Sequence, residues 1–113
     1  MDKAEMTLNE YARLAQRTSN QKAPSGKLEN GCLGLAGEAG EVCDVLKKYL
    51  YQGHELDRAG MAYELGDVLW YVVETAAGLD LTLETIACMN IEKLRKRYPQ
   101  GFDAERSVNR DAE

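Results

Sequence analysis

The chain has 113 residues, 44% of them hydrophobic, a formal net charge of -5 and a sequence pI near 4.9. That length supports one modest core and a single domain whose stability leans on self-association. The acidic balance lacks the basic footprint that long nucleic acids require, although a single nucleotide carried with a metal is still allowed.

The first residues, Met1-Asp2-Lys3-Ala4-Glu5, show no apolar stretch of the kind that opens a secretory signal, and the run Val68–Val73 is far too short to cross a bilayer. The expected location is the cytoplasm, with no membrane partner. Cys32, Cys43 and Cys88 are odd in number and form no CxxC pair, which argues against a disulfide framework or a zinc site; they are expected as reduced core thiols.

Only Pro24 and Pro99 interrupt the chain, and no alternating β-branched run is present, so the expected class is all-α. A first helix starts at Thr7, with Glu10 as the other half of a capping box, and runs to about Arg17. The polar segment Thr18 to Lys27 reads as a loop. A second helix is expected from about Leu28 to Gln52, closed by Gly53, and a third from near Asp57 to about Gly78. A fourth follows Thr82 and ends before Pro99, leaving a polar, loosely held tail from about residue 100 onward. These elements suggest a four-helix bundle with a core over about 5–99, completed by oligomerisation.

Gly31, Gly34, Gly37 and Gly40 recur at every third position of the second helix, each costing roughly 1 kcal/mol relative to alanine in a helix interior. A glycine-rich loop is one reading, but the GxxxxGK[ST] of a P-loop is absent. The preferred reading is a helix whose small residues admit another backbone or a ligand.

Glu38 and Glu41 stand three residues apart, as do Glu64 and Asp67, so each helix projects two carboxylates from one face. An ordinary solvated face is the alternative. The distinguishing feature is the absence of Lys or Arg three or four residues from any of the four, whereas Asp44 has Lys47 and Lys48, and Glu92 has Arg95 and Lys96. If the two helices face each other, the four acids converge, repel, and suit a hard divalent ion such as Mg²⁺ or Mn²⁺. A di-iron carboxylate bundle would need Glu-x-x-His motifs, and the only histidine is His54, three residues after Tyr51.

On the third helix, Met61, Leu65, Val68, Leu69, Val72 and Ala76 form the expected apolar stripe, while Tyr63, Trp70 and Tyr71 share the acidic side. An acidic and aromatic face fits a nucleotide pocket or a protein partner. Asn90, Lys93 and Arg97 share one side of the fourth helix and could hold phosphate oxygens; a solvated polar face is the alternative.

The segments Gly37-Glu38-Ala39-Gly40-Glu41-Val42, Lys47-Lys48 and Glu64-Leu65-Gly66-Asp67-Val68-Leu69-Trp70-Tyr71 resemble the ExxE and ExxD signature of the MazG-like all-α nucleoside triphosphate pyrophosphohydrolases. Asn90 to Pro99 is similar to that family's fourth-helix segment, and the resemblance covers most of Leu28 to Phe102. It implies a helical homodimer or homotetramer that hydrolyses an NTP or dNTP between the α and β phosphates, with Glu38, Glu41, Glu64 and Asp67 as catalytic magnesium ligands. Lys48, Asn90, Lys93 and Arg97 would contact phosphates, and Tyr71, one turn beyond Asp67, would stack on the base. Many members carry two adjacent glutamates where this chain has Gly37-Glu38, which leaves the identity of a general base open. The competing expectation is a non-catalytic helical module that binds a protein through its acidic and aromatic face.

Overall fold

Thr7 accepts a hydrogen bond at its hydroxyl from the Glu10 amide (3.0 Å), and this cap opens the first of five helices in a computed structural model that describes residues 5–110. In chain order they are α1 (Leu8–Gln16), α2 (Pro24–Tyr51), α3 (Arg58–Gly78), α4 (Leu83–Arg97) and α5 (Ala104–Val108). Among the described residues no strand occurs, so the all-α class holds. No described helix is long and apolar enough to cross a membrane.

Two elements differ from the sequence reading. The loop before α2 ends at Ala23 instead of Lys27, because Pro24 occupies the first helical turn, where a missing N–H breaks no helical bond. The expected tail contains α5, which makes five helices in place of four. Asp103 caps α5 through the amides of Glu105 and Arg106, and the Arg106 guanidinium donates to the carbonyls of Arg97 and Lys96 at the end of α4. One side chain thereby satisfies two otherwise orphaned helix-end acceptors.

The backbone divides into two compact units between Leu83 and Glu84. In the first, α2 and α3 pack together and α1 packs on α3. Gly53, at φ +76°, follows the end of α2, and the amides of Gln52 and His54 both return to the Lys48 carbonyl (3.1 and 3.2 Å). Asp57 then caps α3 by accepting from the Gly60 amide at 2.8 Å.

The core holds Ala15, Val73 and Leu83, with Tyr11, Ala12, Leu69, Trp70 and Val72 packed against it. The Trp70 indole N–H donates to the Ala15 carbonyl (3.2 Å) and the Thr18 hydroxyl (2.8 Å), tying the end of α1 to α3. The expected stripe on α3 holds in part: Ala76 is buried and Leu69 and Val72 pack on the core, but Val73 and Glu74, off the stripe, are buried too, while Leu65 is 53% exposed. α3 is covered by two different helices, so one stripe does not describe it. The three cysteines are free, as expected, but exposed instead of lying in the core.

The α2–α3 pair is antiparallel and close. A Cβ on Gly31 would come within 2.7 Å of the Thr75 backbone nitrogen, and one on Gly34 would strike the Tyr71 ring. Gly37 and Gly40 meet nothing within 4 Å. The glycine repeat therefore has two roles: its first half admits α3, and its second half leaves bare backbone.

Candidate metal centre

Along α2 and α3, each turn forward on one helix is matched by a turn back on the other, from Gly31 beside Thr75 to Gly34 beside Tyr71. One more turn brings Glu38 to Asp67, and Glu64 lies a turn further back on α3. The result is a set of three carboxylates, Glu38, Glu64 and Asp67, each offering an oxygen within 4.8 Å of the others. Glu38 and Glu64 are half-buried and Asp67 is exposed.

Burial pushes the Glu38 carboxyl above its usual range. The charges of Asp67, Glu64 and Glu41 and a hydrogen bond with Glu64 push the same way. Every charge perturbing Glu38 is thus another carboxylate. Glu41 lies outside the close set but near enough for its charge to reach Glu38. An all-oxygen donor set with uncompensated mutual repulsion fits a hard divalent cation.

The other sequence-derived candidates have surroundings of their own. Lys48 is engaged by Asp44 at 3.1 Å, and Lys47 reaches the same carboxylate at 3.4 Å. Tyr71 is half-buried, its ring filling the space above Gly34 and meeting Trp70 edge-on, with centroids 4.9 Å apart. Tyr63 is 81% exposed. In the second unit, Lys93 and Arg97 line a hollow of about 650 Å³ together with Met89, Glu92, Lys96 and Arg106, while Asn90 is exposed on the same helix.

Two residues, Tyr11 packed near α3 and Glu74 on it, were not anticipated. Tyr11, on α1, is half-buried, and its hydroxyl is pushed up by burial and then by the charge of Asp67, which makes α1 a neighbour of the carboxylates. Glu74 is fully buried. It accepts hydrogen bonds from Gln16 (2.8 Å), Ser19 (3.0 Å) and Asn30 (2.9 Å), with the Lys27 ammonium 3.9 Å away. A signal for Glu74 was present, since it too lacks a cation three or four residues away and stands inside an apolar run.

A family model described as the MazG nucleotide pyrophosphohydrolase domain matches residues 27–102. The "Gene 37 protein" of Mycobacterium phage L5 is 40% identical over 73 residues, which is 61% of this chain and 64% of that protein. The match therefore spans less than two thirds of that relative's length. No solved structure matches the chain. With three of its four signature acids gathered between α2 and α3, and with the domain model covering most of its length, the chain belongs to the MazG nucleotide pyrophosphohydrolase family.

Proposed function

We propose that this protein uses a divalent cation, Mg²⁺ by preference, to hydrolyse nucleoside or deoxynucleoside triphosphates between the α and β phosphates, releasing a monophosphate and pyrophosphate. The observation that carries this reading is the convergence of Glu38, Glu64 and Asp67 within 4.8 Å. Glu38, Glu64 and Asp67 hold the ion, and Glu41 adds negative charge at the margin of the site. When bound, such an ion offsets phosphate charge and lowers the pKa of a coordinated water. Lys93 and Arg97 suit phosphate oxygens, Arg97 by bidentate contact and Lys93 as a point charge, with Asn90 as a neutral donor. Lys48 can contact a phosphate only by releasing Asp44. Tyr71 can present a ring to the base only if part of its face stays open beside Gly34, which its half-buried state allows.

The family match runs across both compact units, which supports treating them as one functional domain. We further propose a homodimer or homotetramer. Among the described residues buried apolar side chains are few, whereas Leu33, Leu50, Tyr51, Tyr63 and Phe102 are exposed.

A panel of NTPs and dNTPs with Mg²⁺, analysed for pyrophosphate against orthophosphate, tests the reaction. Glu38→Gln and Asp67→Asn should abolish pyrophosphate release while remaining folded. Full activity in either variant would remove the proposed ligand set. A non-catalytic interaction module would instead show no turnover and no stabilisation by Mg²⁺.

A further inference from the structure

We infer that Glu74 is a positioning residue for the carboxylate centre: it sets the axial register of α2 on α3 that brings Glu38 against Glu64 and Asp67. This rests on the metal-binding reading above.

A buried carboxylate is a poor choice for stability alone, because a well-packed apolar side chain of similar size usually does as well without the desolvation cost. In some proteins a buried polar group instead selects one packing among alternatives. Glu74 has the contacts for that role. Its donors come from α1 (Gln16), the connecting segment (Ser19) and the start of α2 (Asn30), and Lys27 of α2 adds the countercharge. Lys27 is itself held by Gln16 at 2.7 Å and Ser19 at 3.3 Å.

A slip of α2 by one residue along α3 would move Asn30 by about 1.5 Å and break its 2.9 Å bond to Glu74. The same slip would drive the Gly31 and Gly34 contacts out of place. Glu38 lies eight residues beyond Asn30, about 12 Å along α2, and Asp67 lies seven residues before Glu74, about 10 Å along α3. These near-equal lengths mean that pairing Asn30 with Glu74 places Glu38 beside Asp67. The polar lock and the carboxylate centre are two points on one closely packed pair of helices.

The test is Mn²⁺ affinity of the full chain without nucleotide, followed by electron paramagnetic resonance at a temperature where every variant is folded. Glu74→Gln and Asn30→Ala should weaken binding by at least about threefold, within the range by which linked packing elements modulate one another. Thr18→Val removes a hydrogen bond between Trp70 and the end of α1 without touching α2, so it should lower stability and leave Mn²⁺ affinity unchanged. If Glu74→Gln does not fold, Asn30→Ala decides the matter. Wild-type affinity in Glu74→Gln and Asn30→Ala overturns the inference, as does an equal loss in Thr18→Val. Absence of Mn²⁺ binding by the wild type overturns the proposed metal centre and this inference with it, whereas equal binding by all variants overturns this inference alone.

Discussion

Replacing Glu74 by glutamine keeps the volume and removes the charge, and its cost can be worked from the contacts. The carboxylate receives three hydrogen bonds, from Gln16, Ser19 and Asn30. In the variant, the amide oxygen retains Ser19 and Asn30 as neutral bonds, each weaker than its charged counterpart by about 1 kcal/mol. The new NH₂ group faces the Gln16 amide, whose bond of about 1.5 to 3 kcal/mol is lost. The sum is about 3 to 5 kcal/mol, a large fraction of the roughly 5 to 15 kcal/mol that keeps a domain folded. In urea, with a slope of about 1.5 kcal/mol per molar, the unfolding midpoint should fall by about 2 to 3 M. The pH dependence provides a second readout. Burial pushes Glu74 up, but hydrogen bonds from Gln16, Asn30 and Ser19 and the charge of Lys27 outweigh it and hold the carboxyl below its usual value. A depressed folded value means that its contribution is complete above the unfolded value of about 4.3 and is lost as pH falls through the folded one. Glu74→Gln should therefore flatten the acid limb of stability below about pH 4.3. A loss under about 1 kcal/mol, or an unchanged acid limb, would refute the reasoning.

Glu38 has the opposite sign. Its carboxyl is raised, so in metal-free protein stability should increase as pH falls from the raised value toward the unfolded one, and Glu38→Gln should remove that slope in thermal melts. Mg²⁺ at about a hundred times its dissociation constant should raise the wild-type melting temperature by about 10 °C, and this shift should vanish in Glu38→Gln. Gly31→Ala should destabilise by about 1 to 2 kcal/mol, since the strain of overpacking against the Thr75 backbone exceeds the gain in helix propensity. Gly37→Ala, which meets nothing within 4 Å, should stabilise the isolated chain by up to about 1 kcal/mol; shifts of equal sign in denaturation of the two variants would contradict the packing described. Arg106→Ala should accelerate amide exchange in the last turn of α4 while changing global stability by less than about 1 kcal/mol.

Local signals were legible in the sequence, and tertiary ones were not. Thr7 and Gly53 act within a few residues of themselves, so their capping chemistry could be read directly, and the third helix does begin next to Asp57. Pro24 was misread because proline is compatible with both a loop and a first helical turn. The three-residue glycine spacing could not separate Gly31 and Gly34, which admit α3, from Gly37 and Gly40, which do not. The acid pairs were found through the missing local cations, and three of the four acids do converge. Glu74 passed that same criterion unnoticed because its partners on α1 and in the connecting segment lie 55 to 58 residues away. Arg106 closes the end of α4 from a segment whose polarity suggested a tail.

The α2–α3 hairpin resembles a beam clamped at both ends. The tight turn at Gly53 fastens one end, and the lock around Glu74 fastens the other. Glu38, Glu64 and Asp67 occupy the span between these clamps. Like charges on free rods would splay the rods apart, and the two fastened ends oppose that splaying. The repulsion among the three carboxylates is relieved by any positive charge that reaches them, a proton on Glu38 included.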